Sequence, residues 1–163
     1  MLRCGLLGEK LGHSYSPEIH KMLAGYEYRL YERRAEELES FIRGGEWDGL
    51  NVTMPYKKAV LPLCDELGER ARLSGSVNTL VRRADGSIYG DNTDMFGFES
   101  LLHVNGIDPA GMKALVLGNG GACASVRAVL DSLGAETVVI SRRGEDNYNN
   151  LERHRDAGII VNT

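Results

Sequence analysis

Strands and helices alternate along this chain in the order expected of an α/β fold with two domains. Three observations carry that reading. Short apolar runs ending in glycine alternate with segments of helical periodicity from Arg3 to Ile140. The stretch Asn105-Gly106-Ile107-Asp108-Pro109 interrupts the pattern and is the strongest boundary signal in the chain. Beyond it, a strand enters Gly118-Asn119-Gly120-Gly121, a helix follows, and a second strand closes a βαβ unit. The expected organisation is an N-terminal α/β domain at 1–104 followed by an incomplete Rossmann-like domain at 105–163.

The elements follow in order. Arg3–Leu7 is apolar and ends at Gly8, as a buried strand does. Ser16-Pro17-Glu18 opens a helix, with Ser16 as N-cap and Pro17 as first helical residue. Ile19, Met22 and Leu23 give it an apolar face, and Gly25 ends it. Tyr26–Tyr31 reads as a second strand. A short helix over Glu36–Arg43 stops at Gly44-Gly45, and Gly49–Val52 is a third strand. After Pro55 the spacing of Val60, Leu61 and Leu63 is helical, shortened by Pro62. A further helix is expected over Glu66–Leu73. Val77–Arg83 and Ser87–Tyr89, joined at Ala84-Asp85-Gly86, form a hairpin. Asp94–Val104 is helical. In the second domain Lys113–Leu117, Ala122–Leu133 and Thr137–Ile140 read as strand, helix and strand. A helix over Asn149–Asp156 and a strand over Ile159–Val161 complete the pattern.

Composition narrows the function classes. With 42% hydrophobic and 26% charged residues the chain has the makings of a packed core. A net charge of -4, with scattered basic pairs, offers nothing with which to neutralise a nucleic-acid backbone. Cys4, Cys64 and Cys123 are odd in number and show no zinc spacing, which fits free thiols in a reducing cytoplasm and no metal. The N-terminus lacks the apolar run of a signal peptide, and no run is long enough to cross a membrane.

Three phrases carry chemistry: Asn51–Lys57, NVTMPYK; Ser76–Thr79, SVNT; and Gly90–Asp94, GDNTD. They place a lysine, carboxylates, hydroxyls and amides on turn-like segments, the parts needed to grip a polyhydroxylated acid and move a proton on it. Lys57, held by a proline turn, can donate or accept a proton when burial and neighbours lower its pKa. Asp94 is the carboxylate that could orient it. Each has a bland alternative: a solvated lysine and a helix cap. Ser14 and Ser16, two apart in a loop, can offer hydroxyls to a carboxylate; loop polarity and helix capping are their ordinary roles. His13 and His20 are acid–base candidates more in keeping with structural hydrogen bonding.

The Gly118–Gly121 loop lies between strand and helix, where glycines allow close backbone approach and the helix N-terminus attracts a pyrophosphate. An NAD site places a carboxylate near the end of the next strand. Here that corner is Ser141-Arg142-Arg143, a hydroxyl and two guanidinium groups suited to a 2′-phosphate, so NADP is favoured over NAD. The alternative is a pair of solvated loop arginines.

Taken in order, HSYSPEIH, NVTMPYK, SVNT, GDNTD, GNGGA, the SRR corner and a final IVNT resemble the shikimate dehydrogenase family over essentially the whole chain. The resemblance implies a substrate-binding and catalytic domain at 1–104, an NADP-binding one at 105–163, and reversible NADPH-dependent reduction of 3-dehydroshikimate to shikimate. Carried over by position, it makes Lys57 and Asp94 the catalytic pair, a unit whose division of labour is shared. Ser14 and Ser16 would bind the substrate carboxylate, and Thr53 and Asn78 the ring hydroxyls or the carboxylate side. Gly118, Gly120, Gly121 and Ala122 would carry the pyrophosphate of NADP, with Ser141, Arg142 and Arg143 at its 2′-phosphate. Asn119, Lys21 and Arg143 stand where the family commonly has alanine, asparagine and threonine; none removes a catalytic group. Family members are longer. The expectation is a C-terminally truncated form whose incomplete domain exposes a sheet edge and invites association, as a homodimer or through that domain. The alternatives are a non-catalytic fragment that binds a shikimate-type acid, a quinate-active relative, and, against the serine pair and GDNTD, a dehydrogenase of a folate or other small-molecule pathway.

Overall fold

The computed structural model describes residues 1–12, 14–23 and 25–163. Two compact units divide the chain, Met1–Asn92 and Thr93–Thr163. The division falls one helix earlier than the Asn105–Pro109 break. The helix over Thr93–Val104 puts Met95 and Leu102 into the second hydrophobic core, beside Ala114, Val116 and Val126.

In the first unit, β1 (Arg3–Gly8), β2 (Glu27–Glu32), β3 (Gly49–Val52), β4 (Glu66–Leu67), β5 (Thr79–Arg82) and β6 (Ile88–Asp91) form one sheet in the order β2-β1-β3-β5-β6-β4. β1 runs parallel to both β2 and β3, with Leu7 opposite Tyr31 and Val52. Flanked on both edges, β1 buries four successive residues, Gly5–Gly8, as an internal parallel strand does. The expected hairpin forms as the antiparallel β5–β6 pair.

Helices α1 (Ser16–Leu23), α2 (Leu38–Gly44) and α3 (Glu69–Ser74) accompany the sheet. The core gathers Leu7, Ile42, Trp47, Leu50, Val52, Tyr56, Val60, Val77 and Leu80. Arg82 of β5 ties α2 to it. Its guanidinium lies 4.3 Å from the Trp47 ring centroid and donates to the carbonyls of Ile42 at 2.7 Å and Gly45 at 3.3 Å. These are carbonyls that the end of a helix leaves without an internal partner.

Several expectations are corrected. The predicted apolar face of α1 does not enter the core: Ile19, Met22 and Leu23 are 53%, 86% and 70% exposed. Helix α1 instead leans on β2 through His20, whose ring stacks on Tyr28 at 3.8 Å. Residues 54–60 form successive turns, not a helix, and only Leu61–Leu63 is helical, as a 3₁₀ turn. Pro55 and Pro62 both lack the N–H that a continuous helix needs. Glu66–Leu67 pairs with β6 before α3 begins. Over Asn149–Asp156 only Leu151–His154 is helical, again 3₁₀.

In the second unit, α4 (Thr93–Val104) precedes β7 (Lys113–Leu117), α5 (Gly121–Ser132), β8 (Glu136–Ile140) and β9 (Ile159–Asn162). The three strands are parallel, in the order β8-β7-β9. The chain leaves β7 for one side and returns to its other side. That arrangement creates a switch point at the C-terminal end of β7, the customary ligand position in such sheets. Among the described residues no helix is long and apolar enough to cross a membrane.

Candidate functional site

The C-terminal ends of β1 and β3 lie side by side because the two strands are parallel, and Thr53 N–H donates to Leu7 O at 2.9 Å. Gly8 permits this approach: a Cβ there would sit 2.8 Å from the Thr53 methyl and 2.7 Å from Leu11 Cδ2. Beyond these strand ends opens a cavity of about 420 Å³ lined by Leu6, Lys10, Leu11, Gly12, Ser14, Ser16 and Thr53. Three of the anticipated residues, Ser14, Ser16 and Thr53, therefore share one wall. Ser14 Oγ accepts the Ser16 N–H at 3.2 Å. One of its lone pairs is thereby engaged, and its own hydrogen is available to a carboxylate.

Asn78 and Lys57 sit on segments adjoining this wall. Val52 N–H donates to Asn78 O at 2.7 Å, and Val77 N–H to Lys57 O at 2.7 Å. The Asn78 side-chain oxygen accepts from the Thr79 hydroxyl at 2.9 Å, which turns the amide nitrogen into the donor end. The backbone of Lys57 is fixed by its neighbour: Tyr56 is 2% exposed and its hydroxyl donates to Arg33 O at 2.6 Å. The cis Met54-Pro55 bond lies in the same turn. Lys57 itself is half-buried. His13 lies outside the described residues.

Sequence reasoning missed two features here. One is Lys10, which lines the cavity. The other is a cluster behind Ser16. Tyr28 Oη donates to Asn51 Oδ1 at 2.8 Å, His20 stacks on the Tyr28 ring, and His20 Nδ1 pairs with the Tyr26 hydroxyl. Burial pushes the Tyr28 phenol up to about 12, an effect the Ser16 hydroxyl partly opposes. The period-two pattern of Tyr26 and Tyr28 was the available signal, but it does not say what the rings meet. The Cys64 thiol is likewise pushed up, to about 11, by burial and by Asp65, which keeps it protonated and unreactive.

In the second unit Asp94 occupies the first turn of α4, where the helix N-terminus favours a carboxylate. At the switch point, Gly118 has φ +119°, and a Cβ on it would stand 2.6 Å from Thr163 Oγ1 and 2.8 Å from Thr163 O. Gly118 N–H donates to Ile140 O at 2.9 Å, so the glycine loop and Ser141 lie next to each other across the sheet. Gly120 is the N-cap of α5 and brings no side chain in front of the helix; Gly121 and Ala122 begin the first turn. Arg142 and Arg143 are exposed just after β8.

The loop that follows is stiffened by polar side chains, another feature the sequence reading missed. Asn150 Oδ1 accepts Asn147 N–H at 2.8 Å, Asn150 Nδ2 donates to Glu145 O at 2.9 Å, and His154 Nε2 meets Asp146 Oδ1 at 2.7 Å. Asparagines that bond the backbone in this way compete with helix formation, which is why the expected helix shrinks to one turn. Among the described residues no group of three or more His, Cys, Asp or Glu is placed to hold a metal ion.

Comparison with known proteins follows the same outline. Residues 6–80 match the model of the shikimate dehydrogenase substrate binding domain. A shikimate dehydrogenase (NADP(+)) of Rubrobacter xylanophilus is 41% identical over 147 residues, 85% of this chain and 52% of that protein. The shikimate 5-dehydrogenase of Thermus thermophilus, solved in complex with shikimate, is similar at TM-score 0.86 and 32% identity over 100% of this chain and 69% of that one. The same enzyme with NADP(H) and shikimate gives TM-score 0.85 and 32% identity over 100% and 68%. The chain spans about half the length of the curated relatives it matches. Because likeness in sequence and in fold extends through both units, and not through the substrate-domain motifs alone, the chain belongs to the shikimate dehydrogenase family.

Proposed function

We propose that the activity is the reversible NADPH-dependent reduction of 3-dehydroshikimate to shikimate. The observation that carries it is the convergence of Ser14, Ser16 and Thr53 on one cavity at the ends of two parallel strands, in a member of this family. Ser14 and Ser16 bind the carboxylate through their hydroxyls. Thr53 and Asn78 hold the ring hydroxyls. Reduction adds a hydride to the carbonyl carbon and a proton to its oxygen. Lys57 gives that proton to the developing alkoxide and takes it back in the reverse direction, and Asp94 is the second catalytic residue.

The second unit suits NADP by the chemistry of its donors. Gly118, Gly120, Gly121 and Ala122 leave backbone room before the N-terminus of α5 for a pyrophosphate. Ser141, Arg142 and Arg143 set a hydroxyl and two guanidinium groups at the next strand end, as a 2′-phosphate requires. When bound, NADPH supplies the hydride. A cytoplasmic setting accords with the free thiols Cys4, Cys64 and Cys123.

The test is absorbance of reduced nicotinamide on mixing the protein with shikimate and NADP, with NAD and quinate as controls. The expected result is a rise with shikimate and NADP that exceeds both controls. Lys57→Ala should lower the rate by roughly 10²–10⁴-fold while shikimate affinity, read by calorimetry, changes little. An unaltered rate in that variant removes Lys57 from the reaction. Failure of the wild type both to turn over and to bind shikimate removes the reading itself.

A further inference from the structure

One charged group on the cavity wall has no place in the roles above. Lys10 lines the cavity together with Ser14, Ser16 and Thr53. Its position is set by both neighbours. Glu9 N–H donates to Met54 O at 3.4 Å, and Leu11 N–H donates to Glu32 Oε1 at 2.6 Å. Leu11 is buried, 4% exposed, and anchors the loop from below. Lys10 is thus an exposed residue on a pinned segment, not the tip of a loose loop. Glu32, the carboxylate at the end of β2, is engaged by the Leu11 amide. Among the described residues no carboxylate forms an ion pair with Lys10.

The other polar groups of this wall are hydroxyls. They supply direction but no net charge, and Leu6 and Leu11 add apolar surface that weakens solvation of an anion. A carboxylate entering such a site gains most from a cation at its rim. Lysine is well suited here, because a compact charge on a flexible stem reaches an anion without demanding one geometry. We propose that Lys10 is a substrate-binding residue whose ammonium group, acting with the Ser14 and Ser16 hydroxyls, selects a carboxylate over a neutral group in this cavity. The inference rests on the reading of the cavity as the carboxylate site. Because Lys10 does not serve the reacting carbonyl, it acts on binding and leaves the chemical step alone. Because it is exposed, its effect is modest and screened by salt.

Calorimetry on the whole chain tests this, with shikimate and shikimate methyl ester as probes, at about 20 and about 300 mM salt, where screening lengths differ several-fold. The proteins are the wild type, Lys10→Met and Lys10→Arg. Lys10→Met should weaken shikimate binding by about three- to tenfold at low salt, leave ester binding as it was, and flatten the salt dependence. Lys10→Arg should retain the wild-type preference for acid over ester. Shikimate binding in Lys10→Met with wild-type affinity and salt dependence would overturn the proposal while leaving the serine site standing. Equal losses for acid and ester would also overturn it, since the loop's shape, not the charge, would then be at work. A wild type that binds neither probe would remove the carboxylate reading and this inference with it.

Discussion

Asp65 shows how single side chains set this molecule's response to pH. Its carboxylate accepts from Arg43 at 2.9 Å and from Ile88 N–H at 2.8 Å, joining α2 to β6. The Arg43 guanidinium, and then the Ile88 amide, hold its carboxyl below the usual carboxylate range. A depressed folded-state value means the stabilisation is present above the unfolded value, about pH 4, and is lost as the pH falls through the folded one. Asp65→Asn should therefore melt below the wild type at pH 7, and the gap should close as the pH falls below about 4. A gap that persists undiminished in acid would show that the amide disrupts packing and that the charge contributes nothing. The site residues were legible at this scale in uneven degree. Ser14 and Ser16, read from their loop, and Thr53, implied by the family resemblance, line one cavity. Lys10 was not anticipated, because a lysine in a polar loop has no signature; only the hydrogen bonds of Glu9 and Leu11 place it on the cavity wall.

At the scale of elements, the unit that matters most is β7, its glycine loop and α5. β7 was read to the residue, since the four apolar residues Ala114–Leu117 entering a glycine turn leave little freedom. The loop's geometry demands glycine at Gly118, where φ is +119° and Thr163 closes the space a side chain would need. Gly118→Ala should cost about 1–2 kcal/mol from the backbone conformation alone, with further loss from the contact with the Thr163 backbone. Chemical denaturation measures the first, and NADP titration should show weakened binding. Alanine tolerated at full stability and affinity would mean the loop is looser than described. Helix α1 makes the opposite point. Its Ile19, Met22 and Leu23 spacing is that of a buried face, yet the helix docks through His20 on Tyr28 and leaves those residues outside. Periodicity reports that one face is apolar; it does not report which face finds a partner.

Across the whole molecule the apolar residues gather in separate cores, one around Trp47 and Tyr56 and one around Val116 and Leu130. Ligands that bind only the folded form stabilise what they touch, so each ligand should leave its own footprint. Hydrogen exchange should slow with shikimate at residues 6–16 and 52–57, and with NADP at 118–124 and 141–147. The footprints should stay distinct when each ligand is added alone. Absence of NADP protection at the second set would remove the Gly118 loop from the cofactor reading. Helix α4 belongs with the second core because Met95 and Leu102 pack there, a pairing that no turn signal in the sequence revealed.

By itself the sequence determined the alternation of strands and helices, the hairpin, the glycine loop and the order of chemical phrases that names the family. These depend on local properties: side-chain periodicity, turn residues and motif spacing. Tertiary structure decided what lies beside what. It placed Lys10 on the wall of the serine cavity, turned α1's apolar face outwards, moved α4 to the second unit and reduced two expected helices to single 3₁₀ turns. The first three outcomes depend on contacts between residues distant in the chain, which no local pattern contains; the two shortened helices follow from Pro55 and Pro62, which lack an N–H, and from asparagines that outbid the helix for a backbone partner.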